Sequence, residues 1–300
     1  MKPSIELKGV IVPMLTPFKR NGELNMDALK MLTEHLIEQE INGLFPVSSI
    51  GEAAKLSMEE KKIIIKMVVD VANGRVPVIP GTGFPDEKRT IQLTRYARDV
   101  GADGVVIVEP YYQKPSFKAL YQYYKRINRA VKNFPLLLYN IPSLAGYELT
   151  TKLVVSCADL DNIVGIKDSS GNLAEFTILL NTIGDKIAIL QGLDILFFPS
   201  LMMGAPGGML GGGNIAGKLE VEMYKACLRG EIKKAKSIHD RLVPLWNILG
   251  SYGTFPVPFK EALTLMRIPV GPARMPAEPL TNAQKKRLRE VLIQIGLLAN

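Results

Sequence analysis

Short apolar runs recur along the chain roughly every 20–35 residues, at 9–14, 43–47, 76–79, 104–108, 135–139, 163–167, 186–190 and 207–210. Each is too short for a helix and is bounded by turn-forming residues, which predicts parallel strands covered on both faces. Between them the period changes. Residues 26–39 carry apolar positions at helical spacing with Asp27 in the first turn, and Ser57-Met-Glu-Glu60 opens another helix with a capping box. Residues 86–100, a segment beginning near Thr150, and 171–183 continue the alternation. Eight strand–helix units within residues 9–229 predict an α/β chain closed into a (β/α)8 TIM barrel. An open doubly wound sheet is the alternative, but it rarely keeps eight strands at such even spacing. From Lys218 onward the pattern is helical only, through Arg229 and then over 231–249, 256–266 and 281–297. Residues 1–229 are read as the barrel, and 230–300 as a C-terminal helical extension packed on it in one structural unit.

A barrel builds its active site at the C-terminal ends of its strands. The polar and turn residues of this chain collect at those ends: Thr16 past the first strand, Ser48 and Ser49 past the second, Gly81 to Gly83 past the third, Tyr111 and Tyr112 past the fourth. Tyr139 ends the fifth, Lys167 ends the sixth, Gly192 and Asp194 follow the seventh, and Gly211 to Gly213 follow the eighth. Lys167 closes an apolar run and is followed at once by Asp168-Ser-Ser-Gly171. Such a lysine can snorkel into solvent or pair with Asp168. It can also lose its proton on burial and attack a ketone to form a Schiff base. The gathering of polar residues at the same barrel end favours the second reading. That chemistry needs a proton shuttle and a holder for the anion beside the ketone. Tyr139, one strand away, can shuttle protons with Ser49 and Tyr112 as its relay, or it can bond a rim carbonyl; Tyr111 and Tyr112 can equally pack at a subunit contact. The turn at Ser48-Ser49-Ile50-Gly51 offers backbone N–H groups suited to a carboxylate.

Composition narrows the class. Three hundred residues, 47% hydrophobic and 22% charged, describe a soluble globular chain with a large core. The net charge of +8 suits an anionic substrate. The one cationic cluster, Lys285-Lys-Arg-Leu-Arg289, lies in a helical pattern without interleaved aromatics and reads as a solvated helix face, so no nucleic-acid partner is expected. Cys157 and Cys227 are far apart, and His35 and His239 fall in helical stretches, which argues against a disulfide framework, zinc chemistry and a Ser-His-Asp triad. The glycine cluster 204–213 fits neither a dinucleotide fingerprint nor a P-loop; close backbone approach to a substrate explains it better. The N-terminal residues lack the apolar core of a signal peptide, and no apolar run reaches the ~18 residues of a membrane span. A cytoplasmic protein without a membrane partner is expected.

Five motifs together carry a family resemblance: Ser-Ile-Gly-Glu-Ala-Ala-Lys-Leu-Ser at 49–57, Pro-Tyr-Tyr at 110–112, Tyr-Asn-Ile-Pro-Ser at 139–143, Gly-Ile-Lys-Asp-Ser at 165–169 and Gly-Leu-Asp at 192–194. Over nearly its whole length the chain resembles the dihydrodipicolinate synthase and N-acetylneuraminate lyase family of pyruvate-dependent class I aldolases. The resemblance implies that Lys167 is the Schiff-base lysine, Tyr139 the proton-transfer phenol, and Ser49 and Tyr112 its relay. It also implies that the Ser49-Ile50 turn holds the pyruvate carboxylate and that the assembly is a homotetramer, commonly a dimer of dimers; no cofactor or metal is expected.

The departures from the family pattern bear on substrate. Leu144 stands where dihydrodipicolinate synthases carry an arginine for the carboxylate of the aldehyde, Ile50 where most members have a second hydroxyl, and Ile195 where sialic-acid lyases have a glutamate. What remains is similar to 2-keto-3-deoxygluconate aldolases, with Ser169, Gly192 and Asp194 offered to a sugar-acid chain and Met209 making part of the cavity apolar. Dihydrodipicolinate synthase, condensing pyruvate with aspartate semialdehyde, is the first alternative. A barrel that senses a keto acid without turning it over is the second, against which the joint presence of Lys167, Tyr139 and Ser49 speaks.

Overall fold

In the computed structural model, which describes residues 2–299, the apolar runs lie side by side as seven parallel strands. These are β1 (Gly9–Pro13), β2 (Gly43–Phe45), β3 (Val105–Val108), β4 (Leu136–Asn140), β5 (Ile163–Asp168), β6 (Ala188–Gln191) and β7 (Gly207–Met209), in the spatial order β2-β1-β7-β6-β5-β4-β3. Around them run α1 (Met26–Glu38), α2 (Met58–Ala72), α3 (Glu87–Asp99), α4 (Phe117–Ala130), the single turn α5 (Pro142–Ala145), α6 (Thr151–Ala158), α7 (Leu173–Ile183), α8 (Phe197–Met202) and α9 (Gly213–Leu228). Three helices follow: α10 (Ile232–Ser251), α11 (Val257–Leu265) and α12 (Asn282–Gln294).

The run at 76–79, expected as the third of eight strands, occupies its place without forming a regular ladder. Leu44 N donates to Pro77 O at 2.8 Å and Ile79 N to Leu44 O at 2.8 Å; on the other side Val106 N donates to Pro80 O and Thr82 N to Val106 O, at 2.9 and 3.0 Å. Pro77 and Pro80 have no N–H to give, so the ladder is interrupted although residues 77–82 bridge β2 and β3 and the barrel is nearly closed. On the far side of β1, Asn214 of α9 donates to Pro13 O at 2.8 Å and accepts from Leu15 N at 3.2 Å.

Side chains alternate across the strands with period two. Ile11, Phe45, Ile79, Val106, Leu137, Tyr139, Leu190 and Met209 fill the barrel interior, while their neighbours Val10, Val12, Leu136, Leu138 and Ile189 pack outward under the helices. Helix α2 starts at the capping box read from the sequence, with Ser57 Oγ accepting from Glu60 N at 3.1 Å and Ser57 N donating to the Glu60 carboxylate at 2.8 Å. Helix α4, not anticipated as an element, is capped by Ser116 and buries Leu120, Tyr123, Tyr124 and Ile127 at helical spacing. The cationic cluster lies on α12 with Leu288 buried and its charges turned outward, Lys285 pairing with Glu261 at 3.1 Å. Among the described residues no helix is long and apolar enough to cross a membrane.

Candidate active site

The register of β5 decides where Lys167 points. Leu136 pairs with Ile163 and Leu137 with Gly165, so Val164 is one residue extra, a bulge. Beyond it Gly165 and Lys167 fall on the interior face beside Leu137, Tyr139 and Leu190, whereas Ile166 and Asp168 turn outward. Without that one-residue shift the lysine would face the helix layer. Lys167 is 3% exposed and forms no ion pair among the described residues. Its Nζ lies 4.6 Å from the centroid of the Tyr139 ring and 5.4 Å from that of Phe45. Asp168, the alternative partner considered above, accepts instead from Asn140 Nδ2 at 2.7 Å and Ser170 Oγ at 2.9 Å. The Tyr139 hydroxyl is 3.3 Å from Ser49 Oγ. Gly192 lets the ends of β5 and β6 close around the amine: a Cβ there would stand 2.0 Å from Ser169 Oγ and 3.0 Å from Lys167 Cε.

The turn after β2 is held from several sides. Thr16 Oγ1 donates to Gly51 O at 2.7 Å, and Ser48 Oγ accepts from Gly51 N at 3.2 Å. The N–H groups of Ser49 and Ile50 donate to no acceptor among the described residues, so both remain available to an anion in the cleft. Glu52, in the left-handed region at φ +59°, anchors the end of the turn. Lys260 of α11 reaches it with Nζ 2.8 Å from Oε1, while Oε2 accepts from Arg274 N at 2.9 Å and Lys55 Nζ at 3.2 Å. Lys260 Nζ also donates to Thr16 O and Pro272 O, each at 2.9 Å. Burial lowers the Lys260 amine to about 8, against the opposing pull of Glu52.

The opposite wall completes a cleft of about 640 Å³ lined by Ser49, Ile50, Tyr139, Lys167 and Ser169. Ser169 Oγ is buried and has no partner among the described residues. Asp194 Oδ1 accepts from Gly212 N at 2.6 Å. Leu144 stands at the mouth on α5, 55% exposed. Two expected site residues lie elsewhere. Met209 is fully buried in the barrel interior and does not line the cleft, because its position on β7 is sealed by neighbouring interior side chains. Tyr112 is 93% exposed with φ +78°, so it is turned away from the cleft of its own chain and does not reach Tyr139 there. The sequence reading missed the part of the wall that comes from beyond the barrel: Trp246, Asn247 and Ser251 of α10, with Phe255 and Phe259, overhang the cleft. A helical period carries no sign of which end of a helix will cover a pocket.

Outside the cleft a second buried acid supports its framework. Glu109, at the end of β3, accepts from Ile141 N at 2.9 Å, two residues beyond Tyr139. Burial pushes its carboxyl up to about 8, with the Ile141 N–H acting in the other direction.

Comparison with known proteins agrees with this architecture. The sequence matches the dihydrodipicolinate synthetase family over residues 6–295. It is 36% identical to a DapA-like lyase of Pyrobaculum islandicum, across 98% of this chain and all of that one. It is 36% identical to 4-hydroxy-tetrahydrodipicolinate synthase of Methanothrix thermoacetophila, across 96% and 97% of the two chains. The crystal structure of a chloride-inhibited dihydrodipicolinate synthase of Acinetobacter baumannii complexed with pyruvate superposes with a TM-score of 0.94 at 36% identity, covering 98% of this chain and all of that one.

Proposed function

Because the chain belongs to the dihydrodipicolinate synthetase family of lyases and aldolases, we propose that it is a pyruvate-dependent aldolase working through an imine on Lys167, with a polyhydroxylated aldehyde as its second substrate. The observation that carries this reading is the meeting of the Lys167 amine, the Tyr139 phenol and Ser49 in one cleft with the unpartnered amides of Ser49 and Ile50. The carboxylate of pyruvate accepts from those two amides, which sets the ketone carbon before Lys167 Nζ. Attack gives a carbinolamine, and Tyr139 delivers the proton with which its hydroxyl leaves as water. Tyr139, having given up its proton, takes one from the methyl group to leave an enamine, and returns it to the alkoxide that forms as the enamine adds to the aldehyde carbon. Hydrolysis of the imine then releases a 4-hydroxy-2-keto acid and restores the amine. Run backwards, the same steps cleave a 2-keto-3-deoxy sugar acid to pyruvate and an aldehyde.

The aldehyde is assigned from the far wall of the cleft. Ser169 Oγ and Asp194 are polar groups that a hydroxylated chain satisfies, and Leu144 at the mouth offers no charge to a carboxylate. An unpaired carboxylate brought into such a site costs several kcal/mol. The second reading, condensation of pyruvate with aspartate semialdehyde, rests on the relatives named 4-hydroxy-tetrahydrodipicolinate synthase. A competition assay decides between them. With pyruvate fixed, kcat/KM for glyceraldehyde is expected to exceed that for aspartate semialdehyde by at least about tenfold, roughly 1.4 kcal/mol of transition-state binding, and Leu144→Arg is expected to narrow the gap. A wild-type preference for aspartate semialdehyde returns the assignment to the second reading. The enzyme is further proposed to act in the cytoplasm as a homotetramer.

A further inference from the structure

Against Asp194, and outside the lining of the cleft, a second carboxyl group lies entirely within the protein. Glu220 of α9 is 0% exposed, and among the described residues neither of its oxygens has a donor in hydrogen-bonding geometry when both acids are taken as carboxylates. The Nε1 of Trp246 is buried beside it, close enough to draw the Glu220 carboxyl down but, among the described residues, not in hydrogen-bonding geometry with any acceptor. All three groups converge on Gly212: the position that a Cβ would take there is 2.6 Å from Asp194 Oδ1, 2.7 Å from Glu220 Oε1 and 2.8 Å from Trp246 Nε1. Gly212 therefore has no room for a side chain, and its N–H is already given to Asp194. Two ionised carboxylates cannot hydrogen-bond each other, since each is an acceptor only, and their repulsion in a dry site is severe.

We propose that Glu220 is a positioning residue for aldehyde recognition: it shares one proton with Asp194, and the pair presents the second Asp194 oxygen to a substrate hydroxyl beside Lys167. A single proton supplies the missing donor and removes one of the two charges. It resides on Glu220. Burial, then the neighbouring Asp194, hold the Glu220 carboxyl well above the ordinary range against the smaller pull of the Trp246 N–H; Asp194 is raised by burial but drawn back by the Gly212 N–H, by Glu220 and by Lys167. The charged group facing the pair is Lys167 from β5; from α10 come the neutral indole of Trp246 and, behind it, His239, its ring tilted against the indole at 5.3 Å between centroids. The pair as a whole keeps one negative charge, on the oxygen pair nearest the cleft. An aldehyde hydroxyl finds an acceptor there, whereas an aldehyde carboxylate meets a like charge. The substrate half of this inference rests on the polyhydroxylated aldehyde proposed above; the shared proton does not.

Two measurements test it on the full-length enzyme. In the infrared, a protonated-carboxyl band is expected in wild type at neutral pH and in the difference between wild type and Glu220→Gln, which separates it from the band of Glu109. In kinetics, Glu220→Leu is expected to lower kcat/KM for glyceraldehyde at least about tenfold, while that for the hydroxyl-free propionaldehyde and borohydride trapping of the pyruvate imine change less than about twofold. Glu220→Gln, whose amide can still donate to Asp194, is expected to recover most of the loss. A drop in all three quantities together makes Glu220 a structural residue and overturns the proposal, as does a glyceraldehyde-to-propionaldehyde ratio that neither variant moves. If wild type prefers aspartate semialdehyde, the substrate reading fails separately, and the infrared difference still decides the pair: a band lost in Glu220→Gln upholds it, and an unchanged spectrum sinks it.

Discussion

Lys167 and Tyr139 are adjacent in register on β5 and β4, and the proposed mechanism gives each a task the other cannot take over. Arginine at 167 would keep the positive charge yet supply no nucleophile, so Lys167→Arg is expected to leave a folded protein without turnover and without a borohydride adduct; more than trace activity would end the imine mechanism. Tyr139→Phe removes only the proton donor. Its pyruvate adduct should still form on borohydride, slowly, with turnover lowered about 10²–10⁴-fold, and a near-normal rate would leave the phenol a packing role. Both residues were legible in the sequence because a lysine and a tyrosine closing apolar runs are exceptions to the pattern around them. Ser49 was legible from its turn. Met209 and Tyr112 show where such reading stops: position at a strand end does not say whether a side chain is sealed under its neighbours or thrown outward by a left-handed backbone. Glu220 left no signal, since an acid inside a helical period is ordinarily a solvated one.

At the level of strands and helices, seven of the eight expected strands form regular ladders, and the eighth fails for a reason visible in its own residues, Pro77 and Pro80. The bulge at Val164 was not visible, although it sets the direction of Lys167, because periodicity in a six-residue strand buried on both faces is too weak to reveal a one-residue shift. The junction of β3 and β4 carries a testable cost. Glu109 is raised from 4.5 to about 8, so between those values the folded chain holds a proton that the unfolded chain has released. Stability therefore falls as pH rises through that window, and the whole penalty is present above about 8. Glu109→Gln keeps an acceptor for Ile141 N and has no proton to lose. In denaturant titrations it should match wild type near pH 4 and exceed it by on the order of 3–5 kcal/mol above pH 8. Equal stabilities across the range would show that Glu109 ionises freely in the folded state.

For the molecule as a whole, the cleft is shared between a barrel and the helices after it, and the assembly proposed above would offer Tyr112 a place across a subunit contact. A tyrosine 93% exposed at φ +78° is poorly explained by its own chain but suits one that reaches a symmetry-related site, so the relay to Tyr139 would be completed by a neighbour. Complementation tests this. Lys167→Ala and Tyr112→Phe chains, each nearly inactive alone, are expected on one-to-one co-expression to regain about a quarter of wild-type activity, since half of randomly paired dimers contain one intact site. Activity no higher than the mean of the two parents would confine Tyr112 to its own protomer. Finally, the bond network of Lys260 sets an order in time. It ties α11 to Thr16 and Glu52, residues made 244 and 208 positions earlier. At a synthesis rate of about 5–20 residues per second, the turn that carries Ser49 and Ile50 must wait roughly 10–40 s on the ribosome for its lysine. On the proposed mechanism, a nascent barrel has all seven strands made before the turn that would hold the keto-acid carboxylate gains that tie.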